Sequence, residues 1–102
     1  MNFENLSPIF GIKLLYPHQA GKEYAVNEAI IALEVLLYGA LEIVSYLPNE
    51  AQDGQAFILN ETGKIFYYIH GWRIIEPRAN MRIFIISENC YYMFVNNTWR
   101  KI

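Results

Sequence analysis

Residues 57–75 read FILNETGKIFYYIHGWRII, and residues 84–102 read FIISENCYYMFVNNTWRKI. Laid over each other at an offset of 27, six of the nineteen positions are identical without a gap. They are Phe57, Ile58, Glu61, Trp72, Arg73 and Ile75, over Phe84, Ile85, Glu88, Trp99, Arg100 and Ile102. Self-similarity at a fixed offset marks a duplicated supersecondary unit. Short runs rich in Ile, Phe, Tyr and Val fall at 56–60, 64–69, 72–75, 82–87, 91–95 and 98–102. His70-Gly71 and Asn96-Asn97 separate two pairs of these runs, and both signal tight hairpins because Gly and Asn tolerate positive φ. Each unit therefore reads as a three-strand meander: a strand, a turn, an aromatic strand, a tight turn, then Trp-Arg. The first β repeat is expected over 48–75 and the second over 80–102. Trp72 and Trp99 are expected at equivalent, largely buried places. The alternative is a platform on which sugar rings stack.

Upstream of the repeats lies a Leu-rich run that predicts one helix over 27–46. Asn27 can cap it by accepting from an exposed backbone N–H, and Glu28 complements its positive end. Pro48 is expected to close it, because the residue before Pro is pushed out of the helical region. At about 100° per residue the polar arc is roughly 120°, and the apolar face roughly 200°, wider than one core needs. One side can cover the domain's own sheet. The excess, with Leu33, Leu37, Leu41 and Val44, is expected to meet the same helix from other subunits. The alternative cover is the chain's own residues 1–26.

Those first residues carry no clean period. Ser7-Pro8, Gly11, Tyr16-Pro17 and Gly21 punctuate them, which predicts an extended arm with one short strand near 12–15. Arm, helix and two β repeats make a single α+β domain over 1–102.

Composition excludes several classes. The chain is 54% apolar and 18% charged, far from the profile of disorder. Its net charge is −2, which offers no general field for nucleic acid. The charge is uneven: residues 1–63 hold two bases and eight acids, a net of −6, and residues 64–102 hold six bases and two acids, a net of +4. Cys90 is the single cysteine, so neither an internal disulfide nor a thiolate metal cluster can form. Residues 1–10 lack a basic region and a long apolar run, so no signal peptide is expected. Glu34 and Glu42 interrupt the most apolar stretch, which argues against membrane insertion.

Catalytic patterns are likewise missing. His18 and His70 are the only imidazoles, and neither has metal-ligand spacing with Cys90 or with the other. Ser7, Ser45 and Ser87 stand outside any nucleophile elbow. Asp53 and Glu76 could form a carboxylate pair, but Asp53-Gly54 is a turn dipeptide for reasons of geometry alone. The expectation is a protein that is not an enzyme and takes no cofactor. Gln19, Lys22 and Asn27 are expected to hold the arm and cap the helix rather than bind a ligand.

The order of several elements resembles a family. Pro17-His18-Gln19-Ala20-Gly21-Lys22, then Val26-Asn27-Glu28-Ala29 and a Leu-rich helix, is similar to the opening of a domain of unknown function. That domain occurs in phage, prophage and gene-transfer-agent proteins of alphaproteobacteria. Pro48, Asp53-Gly54-Gln55-Ala56-Phe57, Gly71-Trp72 before Pro77, and Trp99 come next in the family's order, so the resemblance covers about 13–99. Gly21 replaces the family's usual second Gln, and Asn80-Met81 stands where members often carry a second Gly-Trp. The family is associated with tail-fibre and head-spike proteins. The resemblance therefore implies a virion structural module, a spike or fibre base or adaptor. Its partners would be itself, with a trimer favoured because spikes and fibres are usually threefold, and other virion proteins. It would be found in the virion, or in the bacterial cytoplasm before assembly. The alternative is a module that binds surface polysaccharide, stacking sugars on Tyr67, Trp72, Tyr92 and Trp99.

Overall fold

The computed structural model describes residues 6–12, 14 and 20–102, apart from the side chains of Lys22, Glu23 and Ala25. One helix, α1 (Lys22–Tyr38), precedes seven strands. These are β1 (Glu42–Val44), β2 (Ala56–Leu59), β3 (Ile65–Tyr68), β4 (Trp72–Ile75), β5 (Arg82–Ile85), β6 (Cys90–Val95) and β7 (Thr98–Lys101). A 3-10 turn at Ile86–Glu88 links β5 to β6. The architecture is α+β, with sheets ordered β1-β2-β3-β4 and β5-β6-β7.

The helix differs from its expected span at both ends. It begins after Gly21, which sits at φ +68° and makes no side-chain cap. Asn27 is thus an exposed residue inside the helix and caps nothing. At the other end, Gly39 takes φ +118°, and its N–H still reaches the Val35 carbonyl at 2.8 Å. Only glycine accepts that backbone at low cost, so the helix stops there, well before Pro48. Of the strand expected at 12–15, only Ile12 and Leu14 are described, and neither is in a strand.

The segment 40–44, just past the helix, joins the two repeats. Ala40 N–H donates to Phe84 O at 2.9 Å, and Ile86 N–H donates to Ala40 O at 2.9 Å. On its other side the same segment faces β2: Leu41 N–H donates to Ala56 O at 2.7 Å, and Asn60 N–H to Val44 O at 2.8 Å. Ala40 pairs in parallel with Ile85, and Ile43 in parallel with Ile58. Ile58 and Ile85 are the equivalent residues of the two repeats. The segment is therefore a central rib with one meander on each side.

Both meanders form as expected. β2-β3-β4 and β5-β6-β7 are each antiparallel throughout. Cross-strand partners share a sheet face, and alternate residues share one along a strand. The inner face of the first sheet carries Ala56, Ile58, Ile65, Tyr67 and Ile75, all buried. That of the second carries Met81, Ile83, Ile85 and Phe94, also buried. Ala32 and Val35 of α1 close this core, and Phe10 packs on it from the N-terminal segment.

The last strands of the two meanders are not equivalent. Tyr68 pairs with Trp72 across a three-residue loop, whereas Val95 pairs with Thr98 across the two-residue loop Asn96-Asn97. This one-residue difference turns the final strand over. Trp72 falls on the outer face of its sheet, edge-on to Tyr68 at 5.2 Å and to Phe57 at 6.0 Å. Trp99 falls on the inner face, 5.1 Å from Phe94, and packs on the core. Both indoles are half-buried, so the expected equivalence of the two tryptophans holds in sequence and fails in space. The arginines next to them exchange faces too. Arg73 points inward beneath α1, and Arg100 is exposed.

Candidate functional site

The residues singled out in the sequence lie in four separate places. The first is the outer side of α1. Val26, Ile30, Leu33 and Leu37 are 38%, 51%, 48% and 82% exposed. Their spacing of four, three and four residues is that of a coiled-coil seam. At 100° per residue their mean direction is opposite to that of Ala32 and Val35, which face the core. The helix thus carries two opposed apolar faces, which is what its over-wide apolar arc implied. Leu41 and Val44, expected on the same surface, lie beyond Gly39 in the central rib and are half-buried. Leu6, Phe10, Gly11 and Ile12 of the N-terminal segment line a groove with Ala29, Ala32 and Ile75. These described residues sit on the flank of α1 and leave the seam uncovered.

The second place is beneath the helix. Arg73 Nε lies 3.3 Å from Glu28 Oε1, in a charge contact whose N–H is not aimed for a hydrogen bond. Tyr67 is buried beside this pair. Burial, reinforced by the Glu28 charge, raises its pKa above the ordinary tyrosine value, so its hydroxyl stays protonated. At 5% exposure the Tyr67 ring is not open to a sugar.

The third is the turn at Gln52–Gln55. Asp53 Oδ1 accepts from His70 N–H at 3.0 Å, and Gly54 N–H donates to Tyr68 O at 2.7 Å. Asp53 and Gly54 thereby tie this turn to the β3–β4 hairpin. Gln19 and the side chain of Lys22 lie outside the described residues.

The fourth is a cleft of about 550 Å³ where the β2–β3 turn meets the end of β6–β7. It brings Tyr92 and Trp99 together, but Tyr67 and Trp72 are elsewhere. Trp99 Nε1 donates to Gly63 O at 2.7 Å, which fixes the indole. Tyr92 Oη donates to Glu88 Oε1 at 2.6 Å, and Lys101 Nζ reaches the same oxygen at 3.1 Å. The Tyr92 hydroxyl, and after it Lys101, holds the Glu88 carboxyl below the usual glutamate range. Accepting those bonds, Glu88 in turn raises the pKa of both Tyr92 and Lys101. Glu61, Asn60, Thr62, Asn97 and Thr98 also line it, over a floor that includes Ile43 and Ile58. Glu61 and Glu88 are equivalent residues of the repeat. Beside Tyr92 and Trp99, which the sequence singled out, that identity was the signal that could have marked the acidic side of this cleft.

Among the described residues, no group of three or more His, Cys, Asp or Glu side chains is placed to hold a metal ion. No helix among them is long and apolar enough to cross a membrane. Compared with known proteins, the chain matches no family model and no curated protein sequence.

Proposed function

We propose that the chain is a non-catalytic assembly module of a phage-derived particle, a spike or fibre base or adaptor that associates with copies of itself through the outer side of α1. The observation that carries this reading is the seam of Val26, Ile30, Leu33 and Leu37. Four apolar side chains at heptad spacing are exposed along α1, opposite the face that packs the core. Burying what each still exposes would gain a part of the ~1.5–3 kcal/mol that full burial of such a side chain is worth, and scattered surface apolar residues do not fall into such a row. A second copy is the occupant, because identical seams interdigitate with identical seams under cyclic symmetry.

The virion setting comes from the resemblance in the order of the N-terminal motif, helix, Asp53-Gly54 and tryptophan strands. The same resemblance favours three copies and adds other virion proteins as partners. On that reading the chain would be found in the particle, or in the bacterial cytoplasm before assembly. Molar mass in solution tests the self-association. Flanking morphogenesis genes in the genome of origin test the setting.

A further inference from the structure

We infer that the cleft between the two repeats is a binding site for a neutral hexopyranose, with Trp99 as its wall and Glu88 as its principal acceptor. This site is separate from the α1 seam, so failure of either leaves the other standing.

The volume suits one sugar unit, since small-ligand sites run from about 300 to 1,000 Å³. The wall is preorganised. Trp99 is pinned through Nε1 to the Gly63 carbonyl and braced by Phe94 on its own sheet face. Gly63 takes φ +76°, a backbone that favours glycine, and a Cβ there would meet the indole at ordinary contact distance, 3.7 Å. The apolar C–H face of a pyranose finds on such an indole the surface that water serves poorly.

The polar groups are also set in advance. Tyr92 and Lys101 both reach Oε1 of Glu88, at 2.6 and 3.1 Å. Glu88 is thus a carboxylate of the cleft lining held in place by two partners, a charged acceptor for a sugar hydroxyl. A hydrogen bond to an ionised oxygen is among the stronger kinds. Thr62 Oγ1 accepts from Lys64 N–H at 3.2 Å, which leaves its own hydrogen to donate. Asn60 and Asn97 line the cleft with amides that make no side-chain hydrogen bond among the described residues. The lining therefore offers both donors and acceptors, as the hydroxyls of a sugar require.

Charge narrows the ligand further. Glu61 and Glu88 stand in the lining with Lys101 as the neighbouring cation. An acidic sugar or a phosphate would meet like charge, and exclusion of anions is part of the specificity.

The experiment tracks both indole N–H signals by NMR while glucose, galactose, mannose and N-acetylglucosamine are each added. Concentrations reach ~50 mM, enough to detect a Kd on the order of 1 mM. At least one neutral sugar should shift the Trp99 indole saturably, together with the Asn60 or Asn97 side-chain amide. Trp72, on the outer face, should not move. Galacturonate should bind at least about tenfold more weakly than galactose. Glu88→Gln, which keeps an acceptor for Tyr92, should weaken binding about three- to tenfold. Glu61→Gln, in an exposed turn, should improve galacturonate binding. The inference is overturned if no neutral sugar gives a saturable Trp99 shift, if Trp72 shifts instead, if galacturonate binds as well as galactose, or if Glu88→Gln leaves the Kd unchanged.

Discussion

Gly39 sits at φ +118° with its Cα against the Phe84 carbonyl, so that an added Cβ would collide with main chain. Gly39→Ala should therefore cost roughly 2–6 kcal/mol, from strained backbone and overpacking together. Gly54 is the contrast: its φ is +93°, but a Cβ there would meet nothing within 4 Å. Gly54→Ala should cost only about 1–2 kcal/mol. Chemical denaturation of both variants checks the ordering. The same glycine explains why the sequence extends the helix too far. A Leu-rich run with Pro48 beyond it looks continuous, and Gly39 reveals itself only through the approach of β5, which is a tertiary event. Glu88 gives a second test at this scale. Its pKa is lowered, so its contacts contribute above the unfolded value and are lost as pH falls through the folded one. Tyr92 and Lys101 are raised, so their share is present below their unfolded values and lost as pH rises through the folded ones. The melting temperature should then show a plateau around neutrality with a decline on each side. Glu88→Gln should flatten both declines relative to the parent protein.

At the level of elements, hairpin loop length decides which face each last strand presents. Asn96 and Asn97 lie at φ +52° and +61°, the pair of positive values that a type I′ turn requires. Asn97→Gly should keep the turn and change stability by less than about 1 kcal/mol, whereas Asn97→Val should destabilise by about 1–2 kcal/mol. The tryptophans report the consequence. Trp99→Phe removes the donor from the Gly63 carbonyl and should cost about 1–3 kcal/mol. Trp72→Phe keeps an aromatic ring against Phe57 and Tyr68 on the outer face, and should cost less than about 1.5 kcal/mol. Thermal melts that rank Trp72→Phe above Trp99→Phe in cost would contradict this account of the register. The repeats themselves were legible, because strand periodicity and turn chemistry are local and are written twice. The flip between Trp72 and Trp99 was not legible, because a gapless alignment hides a loop that is one residue longer in three dimensions. For the same reason the four aromatic residues grouped as a sugar platform scatter. Tyr92 and Trp99 meet in the cleft, Tyr67 is sealed under α1, and Trp72 looks the other way.

For the molecule as a whole, the open question of the helix is what covers its second face. The width of the apolar arc was readable from composition and period alone, and the structure resolves it into an inner and an outer row. The outer row lies nearer the N-terminus than the sequence suggested, since Leu41 and Val44 fall beyond Gly39 and Val26 and Ile30 take their place. Val26, Ile30, Leu33 and Leu37 remain, two heptads of seam on a 17-residue helix. Most helical stability in a folded protein comes from tertiary packing, so the seam draws its order from the core face behind it. Association should therefore be specific but concentration-dependent, with the domain folded whether or not the seam is filled. Light scattering at micromolar concentration should give a multiple of the 11.9 kDa chain mass, three being the multiple favoured by the family resemblance. Leu33→Glu and Leu37→Glu should each reduce it to a single chain without unfolding the sheets, because both side chains already stand in water within one protomer. Tyr46→Ser, at a residue equally exposed but off the helix, should leave the mass unchanged. A wild type that remains at 11.9 kDa across the concentration range would remove self-association through α1, and with it the assembly role proposed for this surface.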